Sequence, residues 1–280
     1  MNLWRGCIAL DGVCRLPVTL LSCGAGTIRT PAGAARAARR LLEMPPSALD
    51  SLPFKLTPEM ILWFPVFLFS LTLHEFAHAW SANRFGDMTA TYKGRLTLNP
   101  LAHIDPIGTV VLPLLGMVTG APLIGWAKPV PVNELRLRHS SHTVWVSLAG
   151  PASNILLVVV SALLLKLLAA SGALAAIAGS ASFATAAGVI FMVLQIFIFA
   201  NIALAIFNLL PIPPLDGSHV VEYLFIRRNQ ALWPAWEFMQ KWGMLVLWLV
   251  VLAGPSRGVF ARAVFGTSEA ILNWAVPGLT

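Results

Sequence analysis

The sequence predicts an all-α polytopic membrane protein with about four to six transmembrane helices. Of its 280 residues, 57% are hydrophobic and 11% are charged, whereas a soluble globular domain carries about 25% charged residues. Several apolar runs reach the roughly 20 residues that a helix needs to cross a membrane. The formal net charge is +7, and basic residues in loops between spans orient a membrane protein and meet anionic head groups. The lipid bilayer is therefore an expected partner and nucleic acid is not.

Residues 1–56 are interpreted as an N-terminal arm outside the membrane core. The beginning of the arm is rich in Arg and Ala, and Asp11 is its only acid before residue 43. This composition is typical of a targeting segment or a disordered arm, and it also fits a chain start assigned upstream of Met44 or Met60. The three cysteines of the arm match neither a disulfide framework nor a zinc-binding spacing.

The first predicted span contains a His-Glu-x-x-His sequence. Residues 61–80 are almost entirely apolar apart from His74, Glu75 and His78. A helix turns about 100° per residue, so two histidines four residues apart share one face and can bind one metal ion. Glu75 lies where a carboxylate can act on a water activated by that metal, as in zinc hydrolases. The alternative, a chance match with two hydrogen-bonded core histidines, leaves an ionisable residue at membrane depth unexplained.

Two elements after this span are expected to lie near the site. Residues 90–100 alternate Thr, Tyr, Leu and basic residues around Gly94, which predicts a short strand or hairpin on the cytoplasmic side. Residues 107–125 are apolar enough to span, but they are broken by proline and glycine. If these residues crossed the membrane, the basic residues before and after them would lie on opposite sides, whereas basic residues of membrane proteins concentrate on the cytoplasmic side. We therefore predict a re-entrant hairpin or broken helix that protein covers.

Two further spans are predicted at residues 144–170 and 183–210. The first carries Asn154 in a Gly-Pro-Ala-Ser-Asn sequence, and an amide at that depth requires a hydrogen-bond partner. On the second span, Gln195 and Asn201 are best explained as hydrogen-bonding contacts between helices.

The predicted membrane core covers residues 57–256 and is followed by a C-terminal tail at residues 257–280. Its last apolar segment includes residues 244–253 and forms either one span or a span with an interfacial helix. The distribution of basic residues places the His-Glu-x-x-His end of the first span towards the cytoplasmic leaflet. A bacterial inner membrane is the expected location, although the Arg-rich arm also fits a plastid or mitochondrial address.

Asp216 is the candidate for a third metal ligand. It follows a proline-rich break directly after a span, so that it approaches the same leaflet as His74 and Asn154. A catalytic zinc takes three protein ligands with N, O or S donors and leaves one position for water. The alternative role of Asp216 is to cap the following helix, and His219 is the second choice as a ligand.

A second polar cluster, His103 and Asp105, lies in an Asn-Pro-Leu-Ala-His-Ile-Asp-Pro sequence. Because the three ligand positions of a catalytic zinc are already filled, we expect these two residues to stabilise a turn. His139 and His142 are interpreted as loop residues at the head-group surface.

Three motifs lie on separate predicted spans, in the order His74-Glu75-x-x-His78, Gly150 to Asn154, and Asn208 to Gly217. In these motifs the chain resembles the site-2 protease family of intramembrane zinc metalloproteases. The resemblance covers roughly residues 57–256 and is to the short members that lack PDZ and CBS domains. Three motifs in register are far more specific than a single His-Glu-x-x-His.

The resemblance implies an active site with one zinc ion per chain. The zinc ligands that it implies are His74, His78 and Asp216. It further implies Glu75 as the catalytic acid/base and Asn154 as an active-site residue near the substrate or its oxyanion. The resemblance also implies that the region from Gly94 to Asn99 and the re-entrant element help to present an unwound substrate helix.

The expected function is hydrolysis of peptide bonds in or near transmembrane segments of other membrane proteins. A zinc transporter or metal-binding membrane protein is the alternative, but it has no need of Glu75 as a base and should carry polar residues across both leaflets. A catalytically silent scaffold is a second alternative, and it would be expected to lack a ligand or Glu75. The sequence contains Glu75 and all three candidate ligands, His74, His78 and Asp216, which disfavours such a scaffold.

Overall fold

The computed structural model of the protein describes residues 58–119, 125–172, 186–252 and 254–277, so the predicted N-terminal arm lies outside the described residues. Within these ranges the regular structure is helical. The α-helices are α1 (Pro58–Arg84), α2 (Thr89–Tyr92), α3 (Leu112–Thr119), α4 (His142–Ala170), α5 (Ala186–Asn208), α6 (Asp216–Val221), α7 (Trp233–Leu252) and α8 (Gly254–Ala275). A π-helix, Pro106–Val111, leads into α3, and a second one, Glu222–Ile226, extends α6. Short 3-10 turns occur at Pro100–Ala102, Glu134–Arg136 and Gln230–Leu232.

Helices α1, α4 and α5 pack against one another and form the centre of the fold. Each contains a segment long and apolar enough to cross a membrane: Ile61–Arg84, His142–Ala170 and Ala186–Asn208. Helices suit this environment because they satisfy every backbone hydrogen bond within the segment. The prediction of an all-α membrane protein is confirmed, and the described part of the chain contains three candidate spans.

The C-terminal helix α8 packs against α4 and α5. Val264 of α8 is buried in one cluster with Leu165 of α4 and Ile198 of α5. Burying one such side chain stabilises a fold by about 1.5–3 kcal/mol in water, whereas in lipid close packing itself holds helices together. Residues 257–275, within the segment expected to be a tail, are thus part of this packed structure.

The predicted strand at residues 90–100 is wrong. The first of these residues belong to helix α2, and Gly94 then turns the chain with a positive φ of 64°. The turn closes when the Arg95 backbone N–H donates to the carbonyl of Ala90, at 2.8 Å. Residues with high β-propensity form a strand only when they pack against a neighbouring strand, and the described residues contain no strand.

The predicted re-entrant element is helical where the structure describes it. Asp105 caps its first turn by accepting the N–H groups of Ile107 and Gly108, at 3.1 and 2.7 Å. On the return path, the Trp126 N–H donates to the Gly108 carbonyl at 3.2 Å, and the Thr109 hydroxyl donates to the Trp126 carbonyl at 2.8 Å. The two ends of the element therefore lie side by side, as a re-entrant path requires, while its depth in a membrane stays a prediction.

Residues 125–133 have no regular secondary structure and connect this element to the turn before α4; they are here called the 125–133 segment. Its far end is held by Asp87, which follows α1 and accepts the Asn133 N–H at 2.6 Å. The other carboxylate oxygen of Asp87 accepts both the backbone N–H, at 3.0 Å, and the hydroxyl of Thr89. Burial raises the pKa of Asp87, but these hydrogen bonds outweigh it and hold the pKa below its ordinary value.

Replacing Asp87 by alanine is expected to destabilise the protein, because the Thr89 and Asn133 N–H groups lose their acceptor. The expected loss is about 1–3 kcal/mol in the free energy of unfolding, measured by denaturant titration in detergent. Since folding lowers the pKa of Asp87, its contribution is complete above the ordinary value of 3.8 and disappears as the pH falls through the lower folded value. Asp87→Ala should lack this acid dependence, and Glu237→Ala, at an exposed acid of α7, is the control.

Candidate metal centre

Three side chains from two distant parts of the chain meet at the centre of the fold. His74 and His78 lie one turn apart on α1, with their Nε2 atoms 3.1 Å apart. The Asp216 carboxylate places Oδ2 at 3.2 Å from His74 Nε2 and Oδ1 at 3.2 Å from His78 Nε2. Donors at the usual zinc distances around a tetrahedral ion are about 3.3 Å apart. The three side chains thus have the spacing of ligands that share one ion.

The protonation of the two imidazoles follows from their other nitrogens. His74 Nδ1 lies 2.6 Å from the Asn154 side-chain oxygen, and His78 Nδ1 lies 2.7 Å from the Val146 carbonyl. Both partners are oxygens that only accept, so each Nδ1 carries the proton and each Nε2 presents a lone pair. These lone pairs converge with the carboxylate of Asp216, whose Oδ2 is buried and accepts no hydrogen bond. Three acceptors without a donor fit a bound cation.

A chain of buried amides orients His74 from behind. The Asn154 side-chain N–H donates to the Asn201 side-chain oxygen at 2.7 Å, and the Asn201 amide donates to the Ser70 hydroxyl at 2.9 Å. These residues lie on α4, α5 and α1, and all three are fully buried. Both ends of the Asn154 amide are thus engaged. The contacts favour a role in orienting His74 over the contact with a substrate oxyanion that the resemblance implies.

Asp216 reaches the site because the chain breaks after α5. The proline-rich turn includes a cis peptide bond between Pro213 and Pro214, and Leu215 takes the N-cap position of α6 without a side-chain cap. The Asp216 side chain is therefore free to face the histidines.

Gly150 allows α4 to lie directly against the two histidines. A Cβ atom at this position would lie 2.3 Å from His78 Nε2 and 2.6 Å from His74 Cε1, well inside van der Waals contact. No side chain larger than hydrogen fits there. The sequence contains Gly150 in a recognisable motif, but this reason for it is visible only in the structure.

Glu75 lines the same cavity as the three candidate ligands, a space of about 540 Å³. Its Oε2 accepts the backbone N–H of Val130 at 2.8 Å. His219 also lines this cavity, but it is not part of the group of side chains close enough to share a metal. That group consists of His74, His78 and Asp216, whose ligand atoms all lie within 4.8 Å of one another.

The second polar cluster is not part of this group. His103 is buried, with its Nε2 2.9 Å from the Thr97 carbonyl, and Asp105 caps the helix that follows it. Sequence analysis missed the contacts made by Val130 and Val146 because both use main-chain atoms, which no residue type reveals.

The fold and the site together define the class of intramembrane zinc metalloproteases: apolar helices that enclose two histidines, a carboxylate ligand candidate and a nearby glutamate. The chain belongs to Peptidase family M50, the site-2 protease family, whose model matches residues 63–252. It is a zinc-dependent protease and a membrane protein, and the alternative of a zinc transporter is not favoured.

Curated relatives support the same assignment. The chain is 40% identical over 173 residues to "Putative zinc metalloprotease YwhC" of Bacillus subtilis (strain 168), which covers 61% of this chain and 71% of the relative. It is 35% identical over 206 residues to "Putative zinc metalloprotease Rip2" of Mycolicibacterium smegmatis, covering 73% and 71%. The protein of the same name from Mycobacterium tuberculosis H37Rv is 34% identical over 200 residues, covering 71% and 69%. No solved structure matches the chain.

Gly150→Ala is expected to abolish zinc binding, because the added methyl group occupies the space of the two imidazoles. Zinc content of the purified protein, measured by mass spectrometry, should fall from about one to near zero per chain. Gly266→Ala on α8 is the matched control, since a Cβ there meets nothing within 4 Å. Full zinc occupancy in Gly150→Ala would contradict the packing described here.

Asn154→Ala is expected to weaken zinc binding without abolishing it, because His74 then loses the acceptor that fixes its ring. Outer partners of ligating histidines typically contribute about 10–100-fold to metal affinity or activity. Competition with a chelator of known affinity measures the change. An affinity equal to that of the parent would show that Asn154 does not orient the ligand.

Proposed function

We propose that His74, His78 and Asp216 bind the zinc ion of this protease and that Glu75 is its general base. The observation that carries the proposal is the convergence of two imidazole Nε2 atoms and the Asp216 carboxylate, with Glu75 on the wall of the same cavity. A zinc site of this composition leaves a fourth position for water or substrate. The residues present therefore fit the zinc ion that the family requires.

Zinc, when bound, supplies Lewis acidity that makes a water nucleophilic near neutral pH and polarises the scissile carbonyl. Glu75 accepts the proton from the attacking water and delivers it to the leaving amine. The Val130 N–H engages Oε2 of Glu75 at 2.8 Å and leaves Oε1 available for this transfer. Asn154 acts in this scheme by keeping the proton of His74 on Nδ1, and it is a positioning residue.

The proposed substrates are membrane proteins, cleaved in or near a transmembrane segment. The candidate ligands are largely buried among three apolar helices, so an intact substrate helix cannot bring its backbone to them. A substrate segment must unwind locally before a peptide bond enters the cavity. The 125–133 segment, which follows the re-entrant element, lines this cavity and is placed to contact an unwound substrate chain.

The proposed location is a bacterial inner membrane, with the site towards the cytoplasmic leaflet. Exposed basic residues cluster near the cytoplasmic end of α1 and before α4: Arg84, Lys93, Arg136 and Arg138. Basic loops favour the cytoplasmic side. The curated relatives described above come from bacteria, which supports the proposal.

Glu75→Gln is expected to retain about one zinc per chain and to lose cleavage of a single-span substrate in proteoliposomes. The substitution keeps the size of the side chain and removes its basicity, and a general base typically contributes about 10²–10⁴-fold. His74→Ala should lose both zinc and cleavage. Cleavage by Glu75→Gln at the parent rate would exclude Glu75 as the base, and zinc transport without cleavage by the parent would exclude the protease mechanism.

A further inference from the structure

Arg95 is a buried cation that the proposed mechanism does not use. Only 8% of its surface is exposed, and no carboxylate lies within ion-pair distance of it among the described residues. An arginine stays charged at all ordinary pH values, and burying a charge is costly unless hydrogen bonds compensate it. Its position therefore requires an explanation from the groups that it contacts.

The guanidinium group contacts carbonyl oxygens of two separate segments. Nη1 donates to the Ala102 carbonyl at 2.5 Å, in the turn that precedes the re-entrant element. Nη2 donates to the Lys128 carbonyl, and to the Pro129 carbonyl at 3.3 Å, in the 125–133 segment. The Lys128 N–H also donates to the His103 carbonyl at 2.9 Å. Arg95 thus fastens the 125–133 segment to the turn at residues 100–103.

The same segment provides the hydrogen bond to Glu75. The Pro129 carbonyl and the Val130 N–H are the two ends of one planar peptide unit and point in opposite directions when that unit is trans. Arg95 binds the oxygen end, and Glu75 Oε2 accepts from the hydrogen end at 2.8 Å. A positive charge at the oxygen polarises the unit and strengthens the N–H as a donor. Rotation of this peptide would break both contacts.

We infer that Arg95 is a positioning residue for Glu75, acting through the Pro129–Val130 peptide unit. The inference rests on the proposed role of Glu75 as the base. Arg95 fixes the orientation of this unit, and the Val130 N–H in turn fixes one carboxylate oxygen, so that the other faces the reacting water. Arg95 has no contact with the candidate zinc ligands, so its loss should affect turnover and leave metal binding intact.

Hydrogen exchange provides a direct structural readout of this link. Residues 128–131 read Lys-Pro-Val-Pro, and proline has no N–H. The exchangeable backbone amides of this stretch are therefore those of Lys128 and Val130, which donate to the His103 carbonyl and to Glu75. Arg95→Met should accelerate exchange at both amides. Lys93→Met removes the same charge two residues earlier, at an exposed position, and should leave their exchange unchanged.

The kinetic test uses the full-length protein and a single-span substrate in proteoliposomes. For Arg95→Met we expect kcat to fall about 100-fold, the size of effect that a misplaced catalytic group produces, with zinc content unchanged and KM within about threefold. The same substitution in a Glu75→Asp background should cost at most about threefold, because the shorter carboxylate has already lost the bond to Val130. Residues that act as one unit show such non-additivity.

An unchanged kcat in Arg95→Met, or an equal loss in the Glu75→Asp background, would overturn the inference. If Arg95→Met does not fold, Arg95→Lys decides the matter: its single ammonium cannot reproduce the fork that joins the two segments, so parent-like turnover would also overturn it. Glu75→Gln separates the two proposals. Full cleavage by Glu75→Gln would reject the proposal that Glu75 is the base. Loss of cleavage in Glu75→Gln together with normal turnover of Arg95→Met would reject only the role of Arg95.

Discussion

The convergence of three acceptor atoms on one point is the constraint on which the rest of the structure depends. Two imidazole nitrogens and a carboxylate lie about 3 Å from one another, an arrangement that is repulsive without a positive charge between them. A different structural feature places each of these side chains. One turn of α1 sets the spacing of the histidines, Gly150 lets α4 cover them, and the proline break after α5 delivers Asp216.

Burial among apolar helices makes the polar partners of this site obligatory. An amide without a partner in such surroundings costs several kcal/mol, so the carbonyl group and the N–H of the Asn154 side chain are both engaged. The resulting chain from His74 through Asn154 and Asn201 to Ser70 connects all three central helices. The interactions that orient His74 therefore also fix the packing of the helices, which couples the stability of the core to the geometry of the candidate site.

The sequence predicts most residues of the candidate site because its signals are local. The spacing of His74 and His78 is a property of any helix, and a carboxylate after a proline break is visible in the chain. The prediction of a strand at residues 90–100 was wrong. Alternation of residue types indicates which side chains would share a face of a strand, but it does not set the backbone conformation. Here the hydrogen bonds of Asp87 and the turn at Gly94 set that conformation. The roles of Val130 and Arg95 could not be predicted, since both depend on main-chain atoms brought together across the fold.

The candidate metal centre and Glu75, the proposed base, are supported by different parts of the structure. The candidate ligands rest on packed helices, with closely fitted contacts such as that at Gly150. Glu75 shares α1 with two of them, but its carboxylate is oriented by the 125–133 segment, which lies outside the helices and is held by main-chain contacts to Arg95, His103 and Asp87. The geometry of the candidate ligands and the orientation of Glu75 can therefore vary independently. Because this segment also forms a wall of the cavity that the candidate ligands line, its displacement by an entering substrate chain would change the orientation of Glu75, the proposed base, before it affected the candidate metal ligands.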